Sequence, residues 1–175
     1  MSKLNIGHID IPDTYFIDAD TYRDDEGKVR AADMWAPEVE HFGPDGKVTN
    51  AEYGGNFRTK LYSRLAEDTG YDSLYRTGEE DKHDRSLGWL QDNMGGNFTN
   101  KLVYEGLEQP VNDSQQELHD MGVFTRALDE AEGITDVDSP WHKAREDVLD
   151  YYSQTFQGWK MLATNEASLA SANEY

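Results

Sequence analysis

Phe16-Ile17-Asp18-Ala19-Asp20-Thr21 is the stretch that decides the fold, because a hydrophobic run ends there in two carboxylates and a hydroxyl. Residues 5–23 carry Ile or Tyr at several odd positions, an alternation typical of a half-buried strand. On one regular strand, the carboxylates of Asp18 and Asp20 point the same way. Oxygen ligands of this kind bind Ca2+ or Mg2+. In a chain with 35 acidic residues, however, a solvated strand end is the more frequent explanation.

Two arginines and a glutamate follow this acidic stretch at the ends of expected strands. Residues 24–27 predict a turn, so residues 28–35 form the second strand of a hairpin and carry Arg30. Glu38 stands where that strand leaves the sheet, and Arg85 ends a charged loop before a strand over 86–90. Such groups suit phosphate binding, positioning of water and stabilisation of charge on a pentacoordinate phosphorane. Taken alone, Arg30, Glu38 and Arg85 are each better explained as charged surface residues.

Hydrophobic periodicity and helix-end signals predict the remaining elements. They are a helix over 51–67, a weak strand over 71–75, a polar loop over 77–84, a helix over 97–107, a helix from Asp113 or Ser114 to Glu132 ended by Gly133, and a helix that begins at Ser139-Pro140. The last helix carries an apolar stripe made of Trp141, Ala144, Val148, Tyr152, Thr155, Trp159 and Leu162. The stripe packs on the same domain, which we favour, or docks on another chain.

Composition narrows the class of protein. The 175 residues suffice for one domain with a core, and the absence of Cys excludes disulfides, a thiolate nucleophile and a Cys-based zinc site. The formal net charge of -19 argues against broad binding of nucleic acid, because that requires Lys and Arg. We see no signal peptide and no apolar run that could span a membrane, so we expect a cytoplasmic or virion protein.

Four short segments, taken in their order and spacing, resemble the staphylococcal nuclease (thermonuclease) family. Residues 17–21 look like its Asp-Gly-Asp-Thr motif, and residues 29–38 look like its strand from Val-Arg-Leu to Ala-Pro-Glu. Residues 81–90 look like its Asp-Lys-Tyr-Gly-Arg segment, and residues 100–107 are similar to the helix that follows. The resemblance covers roughly residues 9–130.

The resemblance implies an α+β fold, built as a small OB-type five-stranded β-barrel with flanking helices. We assign residues 1–133 to this domain and residues 134–175 to a C-terminal amphipathic helix and polar tail. The implied activity is that of a Ca2+-dependent (or Mg2+-dependent) nuclease hydrolysing phosphodiester bonds of DNA and RNA. Nucleic acid is then a substrate rather than a stable partner, and a protein partner or assembly would use residues 140–175.

The resemblance also implies roles for individual positions. Asp20 ligates the metal, Glu38 orients or deprotonates the attacking water, Arg30 and Arg85 bind the phosphate and the developing charge, and Lys82 and His83 lie in the nucleotide-binding loop. The family's second metal-ligating Asp is replaced by Trp35, which could close the metal pocket. On a regular strand Asp33 would point to the same face, so we expect it to be the substitute ligand.

The sequence is also compatible with two other functions. The first is a structural protein, for example of a phage virion, that keeps the fold with a degenerate site. Trp35, the net charge and Asp84, which places a carboxylate beside Arg85 where the family has Gly, favour it. The second is an OB-type module that binds an oligonucleotide or a peptide, although the acidic balance argues against nucleic acid.

Overall fold

The computed structural model describes residues 14–35 and 55–154. Their elements are β1 (Thr14–Asp18), β2 (Thr21–Asp24), β3 (Gly27–Ala31), α1 (Gly55–Thr69), β4 (Ser73–Glu80), β5 (Ser86–Gln91), α2 (Phe98–Tyr104), α3 (Asp113–Glu132) and α4 (Pro140–Ser153). Some predictions lie wholly or partly outside these ranges, among them the first part of the strand over 5–23, Glu38, the start of the helix over 51–67, and the stripe and tail beyond residue 154.

The strands form one mixed sheet in the order β1-β2-β3-β5-β4. Neighbouring strands run antiparallel except β3 and β5, which are parallel. Strands β1 and β4 lie at the two edges, so within residues 14–35 and 55–154 the sheet is open. The α+β class is therefore confirmed, whereas the described strands do not close the expected barrel.

The acidic stretch forms a turn rather than part of one long strand. Asp18 ends β1 and pairs with Thr21 at the start of β2, leaving Ala19 and Asp20 as the connection. The carbonyl of Asp20 accepts a hydrogen bond from the backbone N–H of Ala31 at 2.7 Å, which ties this turn to the end of β3. Within residues 14–23 the expected strand is therefore broken by a turn, and the expectation that Asp18 and Asp20 share a strand face was wrong.

Strand lengths differ from the predictions in two further places. Strand β3 ends at Ala31, where we expected residues 28–35 to be extended. Strand β4 continues to Glu80, where we expected a loop over 77–84. Its last residues are polar and exposed, but the backbone still pairs with β5 up to the Glu80–Ser86 pair, across a register shift. Side-chain polarity did not reveal this pairing, because the ladder is made by the backbone.

Helix ends follow the chemistry of capping. Helix α3 begins after Asn112, whose side chain accepts from the N–H of Gln115, and ends at Gly133 in the left-handed conformation (φ 71°). The predicted cap at Asp113 or Ser114 was one or two residues late. Helix α4 begins as predicted, with Ser139 as its cap and Pro140 in its first turn.

The core lies between the inner face of the sheet and helices α1, α2 and α4. Phe98 at the start of α2 is fully buried at its centre, with edge-on or tilted contacts to the rings of Phe16, Tyr62, Tyr71 and Trp141. Ala144 and Tyr152 bring α4 into the same interior, and α4 packs against α1. In the described range, the apolar stripe of α4 therefore packs on its own domain.

Candidate functional site

Asp81 joins the two arginines that the sequence singled out. Its Oδ2 atom accepts a hydrogen bond from Nε of Arg85 at 2.8 Å and lies 3.9 Å from Nη1 of Arg30. Arg30 is on β3 and Arg85 immediately precedes β5, and these two strands are parallel neighbours. The parallel pairing is therefore what brings both guanidinium groups to one place.

The guanidinium of Arg30 lies between two carboxylates. Its Nη2 is 3.8 Å from Oδ2 of Asp20, and its Nη1 faces Asp81. Both separations exceed hydrogen-bond length, so the group is held mainly by charge. The side chains of Arg30 and Arg85 are 32% and 33% exposed, so neither arginine is fully buried.

Asp81 is fixed by the loop in which it lies. Its Oδ1 atom accepts from the backbone N–H groups of His83 and Arg85, both at 2.9 Å. Partial desolvation raises the pKa of Asp81, but those backbone donors and the Arg85 side chain lower it by more. The resulting pKa of Asp81 is about 2. The carboxylate is thus ionised throughout the physiological range. Asp84 adopts a left-handed conformation (φ 58°) within this turn, at the position where the family has Gly.

Asp20 is the predicted metal ligand whose position the structure defines best. It is only 6% exposed, and its Oδ1 accepts a hydrogen bond from the Thr21 hydroxyl at 3.1 Å. The turn between β1 and β2 directs this carboxylate towards Arg30. Asp20 and Arg30 are therefore brought together as expected, although by a turn rather than by a strand.

Asp33 does not occupy the strand position that we expected. It lies beyond β3 in a turn, with a left-handed backbone (φ 56°) and an exposed side chain. Its carbonyl accepts from the side chain of Gln115, which ties the turn to α3. Within residues 14–35 and 55–154, no three acidic or His side chains lie close enough to hold a metal ion. Asp20 and Asp33 thus do not complete a metal centre on their own.

The other predicted site residues have simpler surroundings. Lys82 and His83 are exposed in the loop between β4 and β5. Trp35, which stands where the family has a metal-ligating Asp, is 51% exposed. Glu38 lies outside the described residues.

A buried polar cluster behind Asp20 was missed from the sequence. Arg58 of α1 donates from Nε to the Tyr152 hydroxyl at 2.8 Å and from Nη1 to the Tyr62 hydroxyl at 2.7 Å. The Tyr62 hydroxyl donates to Oε1 of Glu108 at 2.6 Å. Burial raises the pKa of Glu108 to about 7, while Arg58 and Tyr62 oppose this and the charge of Asp20 adds to it. The cluster thus contacts α4 through Tyr152 and interacts electrostatically with Asp20 of the candidate site through Glu108.

Tyr22 lies between this cluster and the candidate site. Its side chain is fully buried on β2. Burial raises the pKa of its hydroxyl, and the charges of Asp20 and Glu108 raise it further. Tyr22 is therefore neutral at physiological pH.

Comparisons with known proteins add no assignment. No protein-family model matches the chain, and a search of the curated proteins finds no match. Among the described residues, no helix combines the length and apolar character that crossing a bilayer requires.

Proposed function

We propose that this protein is a metal-dependent nuclease of the thermonuclease type, hydrolysing phosphodiester bonds of DNA or RNA. The observation that carries the proposal is the convergence of Arg30 and Arg85 on Asp81 beside the buried Asp20. A position that attracts two guanidinium groups to one carboxylate is also suited to a phosphate.

The arginines can bind a phosphodiester without losing Asp81. Arg85 engages Asp81 through Nε, and Arg30 contacts it only at 3.9 Å. In the proposed complex, Nη groups of the two arginines donate to two phosphate oxygens while Asp81 holds both side chains in place. Donors fixed in this way stabilise the charge that develops on a phosphorane without reorganising during the reaction.

The proposed scaffold is an OB-type barrel. In the strand order β1-β2-β3-β5-β4, closure requires only that the two edge strands pair with each other. Pairing of β1 with β4 would also remove two open edges from the sheet.

A divalent cation and a water-activating group complete the proposal. We assign Ca2+ (or Mg2+) to Asp20 and Asp33, and positioning of water to Glu38. Of these two assigned ligands only Asp20 is buried, and the described residues contain no three-ligand cluster, so they do not by themselves fit the ion. For this reason the chemistry that we derive rests on the arginines.

A non-catalytic function is the second candidate, in which the chain keeps the fold as a structural protein. The exposed turn that carries Asp33 favours it, because a ligand held there is less fixed than one on a strand. In that case Asp81 is simply the permanent partner of both arginines.

Cleavage of labelled single-stranded DNA and RNA oligonucleotides by the full chain tests the proposal. We expect cleavage with Ca2+ or Mg2+ that Arg30→Ala and Arg85→Ala each reduce by about 10²-fold or more. Arg64→Ala is the matched control, because Arg64 is a surface arginine that forms an ion pair with Asp147 on α4. Equal loss in all three variants, or no cleavage by folded wild-type protein, would refute the proposal.

A further inference from the structure

Helix α3 carries an apolar stripe on the face opposite to its packed face. Met121, Phe124 and Leu128 are 59%, 69% and 45% exposed. Their spacing of three and four residues places them on one side of the helix. Phe124 is a large aromatic side chain, and leaving it in water costs free energy that a partner could recover. Met121, Phe124 and Leu128 together form the stripe.

The other side of α3 is already in use within the domain. Gly122 is buried where the helix crosses the carbonyl of Tyr104, which would lie 1.8 Å from a Cβ at this position. Arg126 donates to the same carbonyl at 2.6 Å, and Gln115 donates to the carbonyl of Asp33. Because these contacts fix the rotation of the helix, the stripe cannot turn inward without breaking them.

Acidic side chains surround the stripe. Glu117 and Glu132 lie one turn beyond its two ends, Asp120 lies beside it, and all three are exposed. The single Lys or Arg of α3 is Arg126, which faces α2. The stripe therefore has a rim of one sign of charge.

We propose that the stripe of α3 is a docking surface for a basic amphipathic helix of another protein. The apolar side of such a helix would cover Met121, Phe124 and Leu128, while its Lys and Arg side chains would meet the acidic rim. A second copy of this chain would bring an identical acidic rim and a further net charge of -19. An anionic lipid surface would be repelled in the same way.

A synthetic helical peptide provides the probe. It consists of Leu at positions i, i+3, i+4 and i+7 with Lys at the flanking positions, and a matched peptide carries Glu in place of Lys. Fluorescence anisotropy with the full chain should show saturable binding of the Lys peptide and none of the Glu peptide. No saturable binding of the Lys peptide, or equal binding of both, would overturn the proposal.

Variants separate docking on the stripe from general attraction to an acidic protein. Phe124→Ser combined with Met121→Ser should weaken binding at least about tenfold. Glu117→Gln with Asp120→Asn should weaken it several-fold, and the effect should shrink as salt is added. Leu149→Ser, which removes an exposed apolar side chain of α4, and Glu67→Gln with Asp68→Asn on α1 are the matched controls. Unchanged affinity in the stripe variant would refute the proposal.

Sedimentation and hydrogen exchange distinguish the other possible occupants of the stripe, a second copy of the chain and its own C-terminal segment. If sedimentation shows a dimer that Phe124→Ser dissolves, the partner is a second copy and the proposal is wrong. If the Lys peptide speeds hydrogen exchange in residues 155–175, the chain's own C-terminal segment covers the stripe, which also overturns it. A monomer whose C-terminal exchange is unchanged by the peptide supports the proposal.

Discussion

Replacing Tyr152 by Phe removes one hydroxyl from the buried contact between α4 and α1. That hydroxyl accepts a hydrogen bond from Nε of Arg58 at 2.8 Å. Tyr152 is fully buried, with an exposed fraction of 0%. Phe keeps the aromatic ring, whose centre lies 5.3 Å from the guanidinium carbon of Arg58. The substitution therefore tests the polar contact separately from the packing.

The expected cost follows from what is left behind. Arg58 remains buried and charged, and its Nε–H loses the acceptor that the fully buried Tyr152 supplied. A hydrogen bond from a charged donor contributes about 1.5–3 kcal/mol, and the unpaired group cannot recover this from solvent. With an m-value of about 2 kcal/mol/M, the urea midpoint should fall by about 1 M.

Urea unfolding followed by circular dichroism measures this shift. Tyr75→Phe is the control, because Tyr75 is partly exposed and stacks on Trp89 through its ring alone. We expect the control to change the free energy of unfolding by less than about 0.5 kcal/mol. If Tyr152→Phe were as mild as Tyr75→Phe, α4 would not be held on the domain by Arg58, and the described packing would be wrong.

Two further predictions concern α3 and the arginine site. Gly122→Ala should destabilise the protein by about 1–3 kcal/mol, because the new Cβ meets the Tyr104 carbonyl and forces the helices apart, whereas Thr125→Ala on the exposed side should be nearly neutral in thermal unfolding. The lowered pKa of Asp81, about 2 against an ordinary 3.8, means that its ionised form stabilises the fold above about pH 4 and that this contribution disappears as the pH falls through about 2. The difference in unfolding free energy between the wild type and Asp81→Asn should therefore narrow over that interval, and a constant difference would contradict the assignment.

The sequence predicted those parts of the fold that local chemistry decides. Ser139-Pro140 and Gly133 marked helix ends correctly, since capping needs only a few neighbouring residues. The turn at Ala19 and Asp20 was missed because no glycine or proline between residues 13 and 26 marks it. The end of β4 was missed because its polar residues pair through their backbone with a strand that periodicity cannot identify.

The proximity of Asp20, Arg30 and Arg85 was predictable from the sequence, but the geometry that joins them was not. Arg30, Arg85 and Asp20 were found from order and spacing, and the parallel pairing of β3 with β5 brings the arginines together. Asp81 lies in the charged loop before Arg85, but nothing in the sequence indicates that it bridges two arginines. Arg58 and Glu108 were missed altogether, although an arginine four residues before Tyr62 on an apolar helix face was a usable signal.

The rate of cleavage of a single-stranded oligonucleotide by the full chain, with Ca2+ or Mg2+ and with EDTA, tests the proposed nuclease most directly. We predict turnover that EDTA abolishes and that Glu38→Ala reduces by about 10²-fold or more, while Arg64→Ala leaves it unchanged. Absence of metal-dependent cleavage from protein whose circular dichroism shows it to be folded would contradict the account and favour the structural role.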